Sequence, residues 1–135
     1  MVVKWHIFLL VSCFTASLAS AQVTGTVFVA RKKIIADPVR RISIFMDGQI
    51  LCDLRDNSFV QYRTDVGTHK FGVAWTGSGN SILDAIEINV TQSTEFYLRI
   101  ISKESTDSLP SLLLDQVSGN AWPKLMTGLD ELDCD

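Results

Sequence analysis

Residues 42–54 read ISIFMDGQILCDL, two apolar runs joined by Asp47-Gly48. Asp-Gly between alternating apolar residues is a strong short-range signal for a β-hairpin. Register then decides which side chains the hairpin buries. A two-residue turn at Asp47-Gly48 sets Met46 against Gln49, Ile44 against Leu51 and Ile42 against Asp53, which puts an acid on the apolar face. A three-residue turn over Met46-Asp47-Gly48 sets Phe45 against Gln49, Ile44 against Ile50 and Ile42 against Cys52. Ile42, Ile44, Ile50, Cys52 and Leu54 then share one face. Because a slip of one residue sends every side chain to the opposite face, this second register is the expected one. Gly48 supplies the positive φ of the bend and Asp47 a local turn hydrogen bond. Both are read as turn-forming, and neither needs a catalytic role.

Strand signals continue on both sides. VTGTVFVAR (23–31) alternates Val27 and Val29 with Thr26 and Phe28, which suits a strand with both faces partly covered. SFVQYRT (58–64) follows the turn residues Arg55-Asp56-Asn57, and THKFGVAWT (68–76) sets Phe71, Val73 and Trp75 on one face. AIEINVTQ (85–92) turns Ile86, Ile88 and Val90 inward, and TEFYLRIIS (94–102) closes the series. Several short strands with turn chemistry between them predict an all-β fold, an antiparallel β-sandwich of about seven strands. Its core is expected over 22–102. A short, partly irregular C-terminal extension, 103–135, is expected to pack on the same domain. Within it PSLLLDQV (110–117) reads as a last strand or one helical turn, and Pro123 suits the first turn of a short helix.

The first residues have a different character. MVVK, an uncharged apolar stretch and the small residues Ala19 and Ala21 have the layout of a secretory signal peptide, 1–21, cleaved after Ala21. The alternative is a lipoprotein signal, LVSC, cleaved before Cys13, which would be lipidated. Both imply a periplasmic or secreted protein, or an outer-membrane lipoprotein in the second case, with no transmembrane span in the mature chain. Cys52 and Cys134 are then the two remaining cysteines, in a compartment that permits disulfides. Pairing them would contribute about 4 kcal/mol by restricting the unfolded chain. The other reading is a buried thiol at Cys52 and a frayed tail at Cys134.

Without Lys4, the twelve Lys and Arg fall to eleven against fifteen acids, a net charge of −4. That balance argues against nucleic-acid binding. The charge is unevenly spread: RKKIIADPVRR (31–41) carries five cations and one anion, and GLDELDCD (128–135) four acids and no base. Arg31, Lys32, Lys33, Arg40 and Arg41 therefore form a candidate surface for lipid headgroups, a polyanionic glycan or an acidic partner. They equally suit a charged sheet edge kept from aggregating, or a loop on which the acidic end lies, most easily if Cys134 reaches Cys52.

From Val27 to Ile101 the sequence resembles the PEGA-like domains and related lipoprotein-type domains of the bacterial envelope. The matching pieces are VFVAR (27–31), ISIFMDG (42–48) and VGTHKFGV (66–73), with Val66 in place of the family's proline. The resemblance implies an antiparallel β-sandwich outside the cytoplasm and brings no catalytic residues with it.

Other chemistry is sparse. His69 is the one histidine after the signal segment, and a nucleophilic site needs a base together with an orienting partner. A surface or turn role for His69 is expected, and no GxSxG, HExxH or paired-cysteine zinc spacing occurs. Asp53, Asp56, Asn57 and Asp65 are oxygen donors of the kind calcium takes, without the spacing of a calcium loop. No cofactor and no metal is expected. The function these features suggest is that of an exported, non-enzymatic accessory or binding protein of the bacterial envelope. Its partner would be another envelope protein or an anionic surface. The alternative is a secreted inhibitor presenting GSGNS (77–81) or the basic loop to a lysozyme or protease. A small hydrolase built on His69 is the third reading.

Overall fold

The computed structural model describes residues 22–33, 39–77, 81–103 and 110–134. The signal segment with Ala21 and Cys13, the middle of the basic loop, most of GSGNS and the 104–109 linker lie outside the described residues. Among the described residues nine strands and one short helix follow in the order β1 (Thr24–Arg31), β2 (Ile42–Met46), β3 (Gln49–Leu54), β4 (Ser58–Asp65), β5 (Gly67–Trp75), β6 (Asp84–Val90), β7 (Glu95–Lys103), β8 (Ser111–Val117), α1 (Trp122–Met126) and β9 (Asp130–Glu131). They make two sheets, β8-β7-β1-β4-β9 and β3-β2-β5-β6. The fold is an all-β sandwich, as the alternating faces require. Among the described residues no helix is long and apolar enough to cross a membrane.

Between the sheets lie Val27, Val29, Ile42, Ile44, Leu54, Phe71, Val73, Trp75, Ile88, Val90, Leu98 and Leu112, all nearly or fully buried. These are the inward positions of period-2 strands, and burial of their apolar surface drives the layers together. Two features depart from the expected antiparallel seven-stranded arrangement. β1 pairs with β7 in parallel, as β4 does with β9. Parallel neighbours need a long crossover, and the whole stretch from β2 to β6 supplies it for the first pair. The layered core also runs past Ser102, because PSLLLDQV forms β8 and pairs with β7 from Tyr97↔Val117 to Lys103↔Ser111.

The opening hairpin corrects the expected register. Met46 pairs with Gln49 across a two-residue turn, with Asp47 at φ 51° and Gly48 at φ 83°. Two positive φ angles give the turn whose twist matches the flanking strands. Phe45 then pairs with Ile50, and a bulge at Leu51 resets the ladder so that Ile44 meets Cys52 and Ile42 meets Leu54. Ile50 is consequently 55 % exposed, on the opposite side from Ile42. The acid that argued against this turn does not enter the core. Asp53 pairs with Ser43, whose Oγ donates to its carboxylate at 2.6 Å.

A second apolar cluster covers the outer face of the five-stranded sheet. Trp122 of α1 lies with its ring centroid 4.9 Å from Tyr97, 5.6 Å from Phe28 and 6.4 Å from Phe59. Leu125, Met126 and Leu129 pack beside it. This is why Phe28 alternates with valines in β1 without being a solvent-facing residue: both faces of the strand are covered.

Candidate functional site

Of the expected cationic cluster, Arg31 is not at the surface. It ends β1 on the same parity as Val27 and Val29, so it points between the sheets and is fully buried. A buried guanidinium is tolerated only where its N–H groups find acceptors and its charge a counter-charge. Nη1 donates to the carbonyls of Arg40 at 2.7 Å and Leu54 at 3.0 Å. Nε lies 3.6 Å from Asp56 Oδ1, and the guanidinium sits 5.7 Å from the ring centroid of Trp75. Arg31 therefore fastens β1 of one sheet to the ends of β2, β3 and β5 of the other.

Lys32, Lys33, Arg40 and Arg41 are exposed, but they do not face one place. Lys32 and Lys33 line a groove of about 230 Å³ with Ala30, Arg99, Ile101 and Leu125. Its floor is apolar and its rim cationic. Arg99 is already bound there to Asp115, through Nε at 2.9 Å and Nη2 at 2.8 Å. Arg41 instead lines a groove with Leu51, Asp53, Leu132 and Asp133, on the side where the C-terminal segment crosses.

That crossing is made by a disulfide. Cys52 and Cys134 are joined across a sequence separation of 82, with Cα atoms 5.4 Å apart. Leading to it, Asp130 N–H donates to Asn57 O at 3.1 Å, Leu132 N–H to Phe59 O at 2.9 Å, and Asn57 Nδ2 to Gly128 O at 2.7 Å. The bond ties the edge strand of the four-stranded sheet to the segment that follows β9 on the other sheet. The acidic end meets the basic segment only where Asp133 shares a groove with Arg41; Asp130 pairs instead with Arg55, outside that segment, at 3.2 Å.

Asp47 and His69 meet at the other end of the sandwich. His69 Nδ1 lies 2.7 Å from Asp47 Oδ2, and Nε2 lies 2.8 Å from the carbonyl of Asp65. Lys70 N–H donates to Asp47 Oδ1 at 2.9 Å, and Asp47 N–H donates to Lys70 O at 2.8 Å. A carboxylate and a carbonyl only accept, so the doubly protonated ring, with both nitrogens donating, is the form that satisfies both contacts. The hydrogen bond to Asp47 raises the His69 pKa above 6.5, against a smaller opposing effect of burial, with help from the Asp65 carbonyl and both acids' charges. The His69 hydrogen bond, with the Lys70 amide, lowers that of Asp47. A ring with both nitrogens committed has no lone pair to take a proton, so this geometry suits a latch and not a general base. Asp47 lies in the bend as expected, whereas His69, expected at the surface or in a turn, lies half-buried near the start of β5, and that the two meet is not visible in the sequence.

The four oxygen donors considered for calcium do not converge. Asp56 and Asn57 precede β4 and Asp65 ends it, roughly 25 Å away along an extended strand. Asp53 is held by Ser43, Asp56 faces Arg31, and Asn57 binds Gly128. Among the described residues no group of three His, Cys, Asp or Glu side chains is arranged to hold a metal. No protein-family model matches the chain, and none of the curated proteins matches it.

Proposed function

We propose that this chain is an exported, non-enzymatic accessory domain of the bacterial cell envelope that binds an anionic partner through Lys32 and Lys33. The observation that carries the reading is the groove in which these two lysines and Arg99 rim an apolar floor of Ala30, Ile101 and Leu125. The strand end that leads into it is anchored, because the preceding Arg31 is buried and bonded to the carbonyls of Arg40 and Leu54. Anionic headgroups, acidic glycans and acidic protein segments share the chemistry such a rim recognises. Export is supported by the Cys52–Cys134 bond, since disulfides persist chiefly outside the cytoplasm. The resemblance of VFVAR, ISIFMDG and VGTHKFGV to PEGA-like envelope domains points the same way.

The test is co-sedimentation of the purified domain with phosphatidylglycerol-containing vesicles and, separately, retention on a sulfated polysaccharide column. Each lysine near an anionic surface contributes about 1 kcal/mol, so Lys32→Glu with Lys33→Glu should weaken retention at least tenfold. The weakening should shrink as salt rises. Retention unchanged by the double variant at low salt would reject the assignment of this groove.

A further inference from the structure

The seam between the two sheets is closed unequally. On one side β8 lies against β6, and Leu114 N–H donates to Asp84 Oδ2 at 2.7 Å. On the other side β9 pairs only with Ser58 and Phe59 of β4. After the bond from Leu132 N–H to Phe59 O, the chain turns away to reach Cys52. Alternate residues of a strand direct their N–H and C=O groups to opposite edges. Asn57 and Phe59 use theirs toward β9, so Gln61 and Arg63 present theirs on the same edge. Among the described residues no strand pairs with them there.

This edge forms one wall of a groove of about 610 Å³, lined by Val60, Gln61, Tyr62 and Arg63. The disulfide-held residues Glu131, Leu132, Asp133 and Cys134 form the other wall. Tyr62 belongs to the first wall, and its Oη is buried without a hydrogen-bond partner. Burial also pushes its pKa up to about 12, so it stays a neutral donor. An open sheet edge is a template for another strand, and natural proteins usually cover such edges.

We propose that the Gln61–Arg63 edge of β4 receives an extended segment of another polypeptide as an added strand, with a lysine or arginine of that segment facing Glu131 and Asp133. The exposed acids of the tail wall set this charge preference. A second copy of the chain fits less well. Two-fold pairing centred on Arg63 puts like guanidiniums opposite each other, which is unfavourable. Pairing centred on Tyr62 runs the copy's Asp65 into the place that Leu132 occupies beside Phe59. The site is separate from Lys32 and Lys33, so the two readings stand or fall independently.

The probe is an acetylated, amidated peptide of alternating threonine and valine with a lysine at each end, titrated into the disulfide-intact domain. Amide exchange read by NMR should slow at least tenfold at Gln61 and Arg63, with intermolecular contacts from the peptide backbone to β4. Gln61→Pro or Arg63→Pro removes an outward N–H while leaving the bonds to β1, and should weaken binding about tenfold. Should the proline variants fail to fold, Glu131→Lys with Asp133→Lys carries the test, and should reverse the preference toward a glutamate-ended peptide. Unchanged exchange at Gln61 and Arg63 at millimolar peptide would overturn the proposal. So would contacts confined to β3, or a dimer formed through β4 by the protein alone.

Discussion

Replacing both cysteines, Cys52→Ala with Cys134→Ala, measures how far the sandwich depends on its covalent tie. The bond closes a loop across a separation of 82 residues. In the chain-entropy treatment that restriction of the unfolded state is worth about 4.5 kcal/mol at 25 °C. Some packing is lost as well, because Cys52 is only 9 % exposed and belongs to the core between the sheets. For a domain of this size 1 kcal/mol moves Tm by about 4 °C, so a drop of roughly 15–20 °C is expected. Urea unfolding followed by fluorescence of the buried Trp75 and Trp122 provides the assay. The variant should also show a larger m-value, since an uncrosslinked unfolded chain exposes more surface. Reductant should reproduce both changes in the parent and neither in the variant. A loss below about 1 kcal/mol with an unchanged m-value would refute the reasoning, because it would mean that the loop is not closed in solution.

Three further perturbations address the other fixing points. Arg31→Leu removes one partner of a buried charge cluster and should cost about 3 kcal/mol by urea unfolding, with Arg31→Lys failing to restore it because an ammonium lacks the planar fork; a neutral Arg31→Leu would contradict the anchoring role. The His69–Asp47 latch should contribute only roughly 0.5–1 kcal/mol, since the Asp47 side chain is 50 % exposed. Because the His69 pKa is raised from 6.5, that contribution is full below pH 6.5 and lost as pH rises through the folded-state value; because the Asp47 pKa is lowered from 3.8, it is also lost as pH falls through that lowered value. His69→Ala should therefore cost most in mildly acidic buffer and little at pH 9, and a pH-independent cost would count against the latch. Trp122→Ala opens the aromatic cluster on the outer face and should cost about 3 kcal/mol, with loss of near-ultraviolet circular dichroism but not of β-sheet signal.

How much of this was legible in the sequence differs from residue to residue. Val27, Val29, Phe71, Val73, Trp75, Ile88 and Val90 were readable as inward positions because their strands keep period 2 without interruption. The same parity rule, carried one step further along VFVAR, also predicts an inward Arg31. Charge overrode periodicity in the reading of 31–41, although a strand end can bury a guanidinium when carbonyls of the facing sheet are within reach. Ile50 was misplaced for a different reason. Turn chemistry and alternation gave conflicting registers, and the chain satisfied both by inserting Leu51 as a bulge, an option that neither signal contains. The parallel β1–β7 pair, the meeting of His69 with Asp47 and the approach of Cys134 to Cys52 are contacts between distant segments. Local patterns carry the face a residue presents and not the identity of its neighbour. A short helix with Pro123 in its first turn was legible, but its extent and the aromatic face that Trp122 covers were not.

Arg31, the Cys52–Cys134 bond and the Asp47–His69 pair share one property that the apolar core lacks. Burial of valine and isoleucine is non-directional, so by itself it singles out no particular partner for a given side chain. Each of the three ties has a fixed geometry; Arg31 and the disulfide join one sheet to the other, while Asp47 and His69 link the β2–β3 turn to β5 beside the β2–β5 ladder. Arg31 joins the end of β1 to Leu54 and Arg40 across the sheets. The disulfide joins the β3 edge to the tail of β9. The Asp47–His69–Asp65 chain joins the β2–β3 turn to the corner where β4 becomes β5 through the single residue Val66. Arg31 and the disulfide thus help to set the relative placement of the sheets, while the valines and isoleucines supply most of the energy that holds them together. This placement also sets where the Lys32–Lys33 groove and the open edge of β4 lie at the surface.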